Sequence, residues 1–248
     1  MRVGTSRLML MIAVLTTSVF SQTAFTDRFD ACKLDTNLWF PQHGDAPDNK
    51  PGNRYGAYHP DQLDFSQGEM RLAVSQTFEG PKAVSSSSEI ISKGLYGYGT
   101  YEFVMRMAST SPTHDGAGRV VPGSCSAAFL LWENSLTEID IEYLGNKPNS
   151  LFFTTWIDRN HKNTIEAHVG NVANGMHRYQ IVWKPGIVQW YLDRKLVATS
   201  TKFVPTHPAT IRINHWGTHN TGWGGLATAN VNRYMYVKLA SFTPWEAK

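Results

Sequence analysis

The segment 179–200 limits the fold more than any other. Three strand-like pieces, 179–183, Ile187–Leu192 and 196–200, follow one another, joined only by Lys184-Pro185-Gly186 and Asp193-Arg194-Lys195. Connections this short join antiparallel neighbours, so the segment reads as a meander. The same texture runs through the chain from about residue 25. Gly68 leads into 69–74, where Met70, Leu72 and Val74 alternate with more polar residues. Residues 100–107 are rich in β-branched and aromatic types, and 126–132 is a continuous apolar run expected to be buried on both faces. No long stretch shows a 3.6-residue period with caps at both ends. These signs predict an all-β sandwich or barrel and exclude an α/β enzyme. Segments 41–60 and 109–124 are expected to be the longest loops, and Ser85–Ser88 a short solvated loop. No internal repeat or appended module is visible.

At 248 residues, 42% hydrophobic and 17% charged, the chain has material for one large β domain. Arg2 and Arg7 precede the apolar run 8–15, and small residues follow at Ser21 and Ala24. That layout predicts a secretory leader over residues 1–21 and a single domain over 22–248, and the apolar run is too short to span a bilayer. Without the leader's two arginines the formal charge falls from +3 to +1. A nearly neutral domain gives no reason to expect nucleic acid as a partner. Cys32 and Cys125 do not by themselves specify a disulfide. No Asn-x-Ser/Thr sequon is present.

Residues 137–145 read Thr-Glu-Ile-Asp-Ile-Glu-Tyr-Leu-Gly. On a strand, Glu138, Asp140 and Glu142 share one face and Ile139 and Ile141 the other. Three like charges in a row are costly, which points to a function for them. Taken alone, the pentapeptide reads equally as a metal cluster or a solvated acidic face. It also suits glycosidic bond hydrolysis, which uses one carboxylate nucleophile and one carboxylic acid proton donor. Alpha carbons four strand residues apart lie about 13 Å from each other. Side chains leaning together shorten that gap towards the roughly 5–5.5 Å of retaining enzymes rather than the roughly 6.5–9.5 Å of inverting ones.

The string Glu138-Ile-Asp-Ile-Glu142 resembles the signature of glycoside hydrolase family 16, and four further places resemble it in order. They are Phe29-Asp30 with Leu34-Asp35 and Trp39, then Tyr96-Gly-Tyr-Gly-Thr-Tyr-Glu102, His177-Arg-Tyr-Gln-Ile-Val-Trp183 and Trp190-Tyr-Leu-Asp193. The resemblance implies a jelly-roll β-sandwich of two antiparallel sheets with a concave cleft. It makes Glu138 the nucleophile, Asp140 the assisting acid and Glu142 the general acid/base of a retaining double displacement. The absence of an insertion before Glu142, together with Glu142-Tyr-Leu-Gly145, Gly68-Glu-Met-Arg-Leu72 and Asn214-His-Trp216 with Trp223, is most similar to bacterial licheninases, which cleave mixed-linkage β-1,3-1,4-glucan. Three departures stand out: Leu136 where licheninases carry Trp, Thr154 and Trp156 on the next cleft strand, and Ile91 in place of a substrate-binding arginine near the retained Glu89.

The resemblance places Trp216 and Trp223 at the cleft as sugar-stacking groups, with Asn214 donating to a hydroxyl and Glu89 and Trp156 as further substrate contacts. Trp39, Trp183 and Trp190 read as core. His215 and His219 read as polar loop histidines rather than metal ligands, and no metal or cofactor is expected. Relatives hold a structural calcium with an aspartate where this chain has Lys238. The expected protein is a monomeric, secreted (extracellular or periplasmic) endo-β-glucanase acting on a β-glucan polysaccharide, with no membrane partner once the leader is cleaved. A transglycosylase, a hydrolase of another β-glucan or exopolysaccharide, and a non-catalytic glycan-binding protein on the same fold are the alternatives.

Overall fold

The computed structural model describes residues 23–50, 54–132 and 137–246. The expected leader and Leu136 lie outside them. Among the described residues there are seventeen strands, one short 3-10 turn at Pro60–Gln62 and no α-helix.

The strands form two main antiparallel layers. The first runs in the order His161–His168, Ser150–Asp158, Glu138–Leu144, Ser124–Leu131, Thr210–Gly217, Lys82–Ser92 and Trp39–Pro41. The second runs Lys195–Ser200, Ile187–Leu192, His177–Lys184, Gly99–Ser109, Arg233–Pro244, Met70–Glu79 and Leu63–Asp64. The expected meander is the edge of this second layer. Met70–Glu79 turns directly into Lys82–Ser92 and pairs with it, which joins the two layers along one side. The architecture is a sandwich, one of the two forms the strand pattern predicted, and of the jelly-roll type that the family resemblance implied.

Alternation along each strand builds the core. Ile139, Ile141 and Tyr143 face inward from the acidic strand, beside Ala128 and Leu130 on one neighbour and Phe153 on the other. Phe103, Met105, Ile181, Trp183, Trp190 and Val237 belong to the same core. Burying an isoleucine fully contributes about 1.5–3 kcal/mol, so Ile139 and Ile141, both at most 1% exposed, anchor the strand despite its three acids. Trp39, Trp183 and Trp190 are core residues, as their sequence context suggested.

Two loop expectations are corrected. Ser85–Ser88 belongs to the strand Lys82–Ser92, with Ser85, Ser87 and Ser88 buried. Their hydroxyls are satisfied there: Gln76 Nε2 donates to Ser85 Oγ (2.9 Å), the Gly217 amide donates to Ser87 Oγ (3.0 Å), and Ser88 Oγ donates to the Ala73 carbonyl (3.1 Å). Small hydroxyls also allow close approach, since a Cβ on Gly217 would lie 2.4 Å from Ser85 Oγ. Within 41–60, Arg54–Tyr58 is a strand running parallel to Lys82–Ser92, and Gly44–Asp45 pairs with it.

Candidate active site

The even-numbered side chains of Glu138–Leu144 point away from the core into a cleft over the first layer. Backbone register fixes what surrounds them. Glu138 lies opposite Leu131 and Trp156, Asp140 opposite Phe129 and Thr154, and Glu142 opposite Ala127 and Phe152. The acidic row divides the cleft. On one side is a hollow of about 380 Å³, bounded by Tyr58, Glu89, Arg212, Asn214 and Trp216. On the other is a hollow of about 180 Å³, bounded by Thr154, Trp156, Lys162, Thr164 and Trp223. All three acids line both hollows.

The acids differ in their partners. Asp140 is buried and hydrogen-bonds to Glu138. Enclosure, and then the charges of Glu138 and Glu142, push the Asp140 carboxyl well above the usual carboxylate range. Two carboxyls share a hydrogen bond only through a proton, so protonated Asp140 donates and Glu138 accepts as the anion. The Trp156 indole N–H donates to the other side of this arrangement, 3.2 Å from Asp140 Oδ2.

Glu138 is raised to about 7 by enclosure and by the charge of Glu142, while the Asp140 hydrogen bond and Arg212 pull it back down. Glu142 is also raised to about 7, mainly by enclosure, against the stabilising effect of Cys125, Trp223 and Lys162. Its Oε1 accepts from Trp223 Nε1 at 3.2 Å and from the Cys125 thiol at 3.4 Å. The enclosure has a visible source. Cys125, Leu144 and Phe152 form a second, smaller apolar cluster on the cleft side, with Trp216 and Trp223 packed against it. The carboxyls titrate as a coupled group that retains protons near neutrality.

The five candidate substrate contacts all reach the cleft, but not always in the expected role. Trp216 lies on the strand Thr210–Gly217 rather than in a loop, and its ring lines the larger hollow. Trp156 and Trp223 spend their N–H groups on Asp140 and Glu142, so they orient acids as well as wall the smaller hollow. The Asn214 amide nitrogen is committed within the site, with one N–H donated to Tyr58 Oη at 3.0 Å and a hydrogen bond to Glu89, whereas the buried Oδ1 has no hydrogen-bond partner. A hydroxyl entering here would therefore donate to Asn214. Glu89 is raised to about 7 by burial, opposed by Arg212 and Asn214.

Arg212, Tyr58, Lys162 and Cys125 were missed by the sequence reading. Arg212 sits directly opposite Ile91 and places Nη1 3.8 Å from Glu89 Oε1, so a guanidinium enters the cleft from the strand next to the one where it was expected. Its signal was present, because Arg212, Asn214 and Trp216 alternate on one face. Lys162 covers the Trp156 ring at 4.4 Å. Tyr58 reaches the site only through the parallel pairing of Arg54–Tyr58.

His215 corrects a further expectation. It is a fully buried strand residue whose Nδ1 donates to the Leu72 carbonyl at 3.1 Å, and burial pushes it down to about 3, so it is neutral. Cys32 and Cys125 are both free, one exposed and one buried. Among the described residues no three His, Cys, Asp or Glu side chains are grouped to hold a metal ion. Burial raises the Glu69 carboxyl, against the opposing effects of His114 and Lys238.

Comparison with known proteins agrees with this geometry. The model of glycosyl hydrolases family 16 matches residues 52–233. A β-glucanase of Bacillus subtilis is 29% identical over 238 residues, covering 88% of this chain and 89% of its own length. An endo-1,3-1,4-β-glycanase of Rhizobium meliloti is 27% identical over 232 residues, covering 89% and 78%. The solved structure of the Bacillus licheniformis β-glucanase superposes with a TM-score of 0.73 at 25% identity, covering 91% of this chain and all of that one. With the family model spanning most of the chain and the acidic cleft of a glycosidase in place, the protein belongs to glycosyl hydrolase family 16.

Proposed function

We propose that the protein is an exported, retaining endo-β-glucanase that hydrolyses mixed-linkage β-1,3-1,4-glucan by double displacement. Both glutamates are raised to about 7, and the observation that carries the division of roles is the difference in their partners. Glu138 accepts a hydrogen bond from protonated Asp140, which favours its anionic form and leaves it as the nucleophile. Glu142 sits in an apolar collar that favours the protonated acid. In the first step a Glu138 oxygen attacks the anomeric carbon while Glu142 transfers its proton to the departing glycosidic oxygen. In the second, Glu142, now a carboxylate, removes a proton from water as water displaces Glu138. Two inversions at one carbon give retention.

Endo-action is supported by the hollows on both sides of the acidic row, which accommodate sugars before and after the scissile bond. Mixed-linkage glucan is supported by the relatives, one of which is named an endo-1,3-1,4-β-glycanase. Export is supported by the charged and apolar N-terminal layout of the sequence. The test is a product profile on barley β-glucan, laminarin, xyloglucan and carboxymethyl cellulose, with the anomeric configuration of fresh products read by proton NMR. Short β-configured oligosaccharides from barley glucan are expected. Cleavage of laminarin with none of barley glucan would refute the substrate, and α-configured first products would refute retention.

A further inference from the structure

Cys125 is a buried free thiol that a glycosidase has no general need of. It lies on Ser124–Leu131, two strand positions before Ala127, the residue opposite Glu142. Its side chain therefore shares the cleft face with the acids, yet it is fully covered by Leu144, Phe152, Trp216 and Trp223. In that closed setting the sulfur is 3.4 Å from Glu142 Oε1, the same oxygen that accepts from Trp223 Nε1 at 3.2 Å. We propose that Cys125 is a positioning residue for Glu142: thiol and indole together hold Oε1, leaving Oε2 as the oxygen that carries the proton to the leaving group and takes it back from water.

The direction of the two hydrogen bonds supports this. Indole N–H is a donor only. Burial and the Glu142 charge push the Cys125 thiol well above the usual thiol range, so it keeps its proton and donates. Both donors therefore meet Oε1, and together they disfavour a proton on that atom. The proton of the acid form is driven to Oε2. When Glu142 becomes a carboxylate midway through the cycle, the same two donors stabilise the new charge. The other charged or titratable groups facing Glu142 are Glu138 and Asp140 on its own strand and Lys162 on His161–His168. None of them contacts Oε1 in place of the thiol.

This inference rests on the reading of Glu142 as the general acid/base, so the test separates the two. Wild type, Cys125→Ala and Cys125→Ser would be compared by carbon-13 titration of the labelled Glu142 carboxyl and by the pH dependence of kcat/KM. Loss of a weak donor to the carboxylate should raise the Glu142 titration by about half a pH unit in the alanine variant. The alkaline limb of kcat/KM should move upward with it. Serine, the stronger donor, should return both to the wild-type position or below. Carboxyl titrations and limbs that are unchanged in both variants would overturn the positioning role, since a thiol that merely fills space lowers stability without moving either. A titration that moves while the limb stays fixed would uphold the contact and overturn Glu142 as the acid.

Discussion

Glu142→Gln should make the protein more stable, and only above the acid range. In the fold, burial pushes the Glu142 carboxyl from an ordinary 4.5 up to about 7. The sign follows from proton binding. Below pH 4.5 the carboxyl is protonated in both folded and unfolded chains and costs nothing. As pH rises towards 7 the unfolded chain releases the proton while the fold retains it, so stability falls. Above 7 the loss is complete, about 3 kcal/mol at roughly 1.4 kcal/mol per pH unit. Glutamine is nearly the same size, keeps an oxygen for Trp223 and Cys125, and carries no charge to desolvate. For a domain of this length 1 kcal/mol moves the melting temperature by about 2–4 °C. Calorimetry at pH 8 should place the variant about 6–12 °C above wild type, with the difference vanishing at pH 4.5. Equal melting temperatures at pH 8, or the same stabilisation at both pH values, would refute the claim that the acid is held at an energetic cost to the fold.

Other expected outcomes follow from individual contacts. Asp140→Asn should lower kcat less than loss of either glutamate, because the amide still donates to Glu138 but has no acidic proton to share with it; steady-state rates on barley glucan measure it. Trp216→Ala removes apolar contact worth about 1–3 kcal/mol, so KM should rise roughly 5- to 150-fold, an effect that shorter oligosaccharides not reaching the larger hollow should escape. Arg212→Met should raise KM on polymeric glucan and shift the acidic limb of kcat/KM upward, since Arg212 favours the charged forms of both Glu138 and Glu89. An acidic limb unmoved by that substitution would show that Arg212 acts on substrate alone.

What the sequence disclosed follows the range of the interactions. Alternation is local, so the acidic strand, the meander and the inward isoleucines were legible from period two alone. Burial created by distant pairing was not. Ser85–Ser88 looks like solvated loop because its hydroxyls find partners only across the sheet, at Gln76, Gly217 and Ala73. His215 looks polar because the carbonyl that satisfies it is at Leu72. The same limit explains the site. Glu138, Asp140 and Glu142 stand on a recognisable strand, and Glu89 and Asn214 were legible only through the family resemblance, but Cys125, Lys162 and Tyr58 enter only through register. Arg212 was hidden by the expectation of an arginine at 91, one strand away.

Chemical rescue tests the central claim, the division of roles between Glu138 and Glu142, most directly. Glu138→Gly and Glu142→Gly would each be given an activated aryl β-glucoside oligosaccharide and azide, and the glycosyl azide configuration read by proton NMR. With Glu138 as nucleophile, azide takes the vacated space in Glu138→Gly and attacks the anomeric carbon directly, giving the α-azide. In Glu142→Gly the glycosyl-enzyme still forms on Glu138, and azide displaces it to give the β-azide. An α-azide from Glu142→Gly with no rescue of Glu138→Gly would reverse the two roles, and wild-type turnover of polymeric glucan by either variant would remove the acidic row from the reaction altogether.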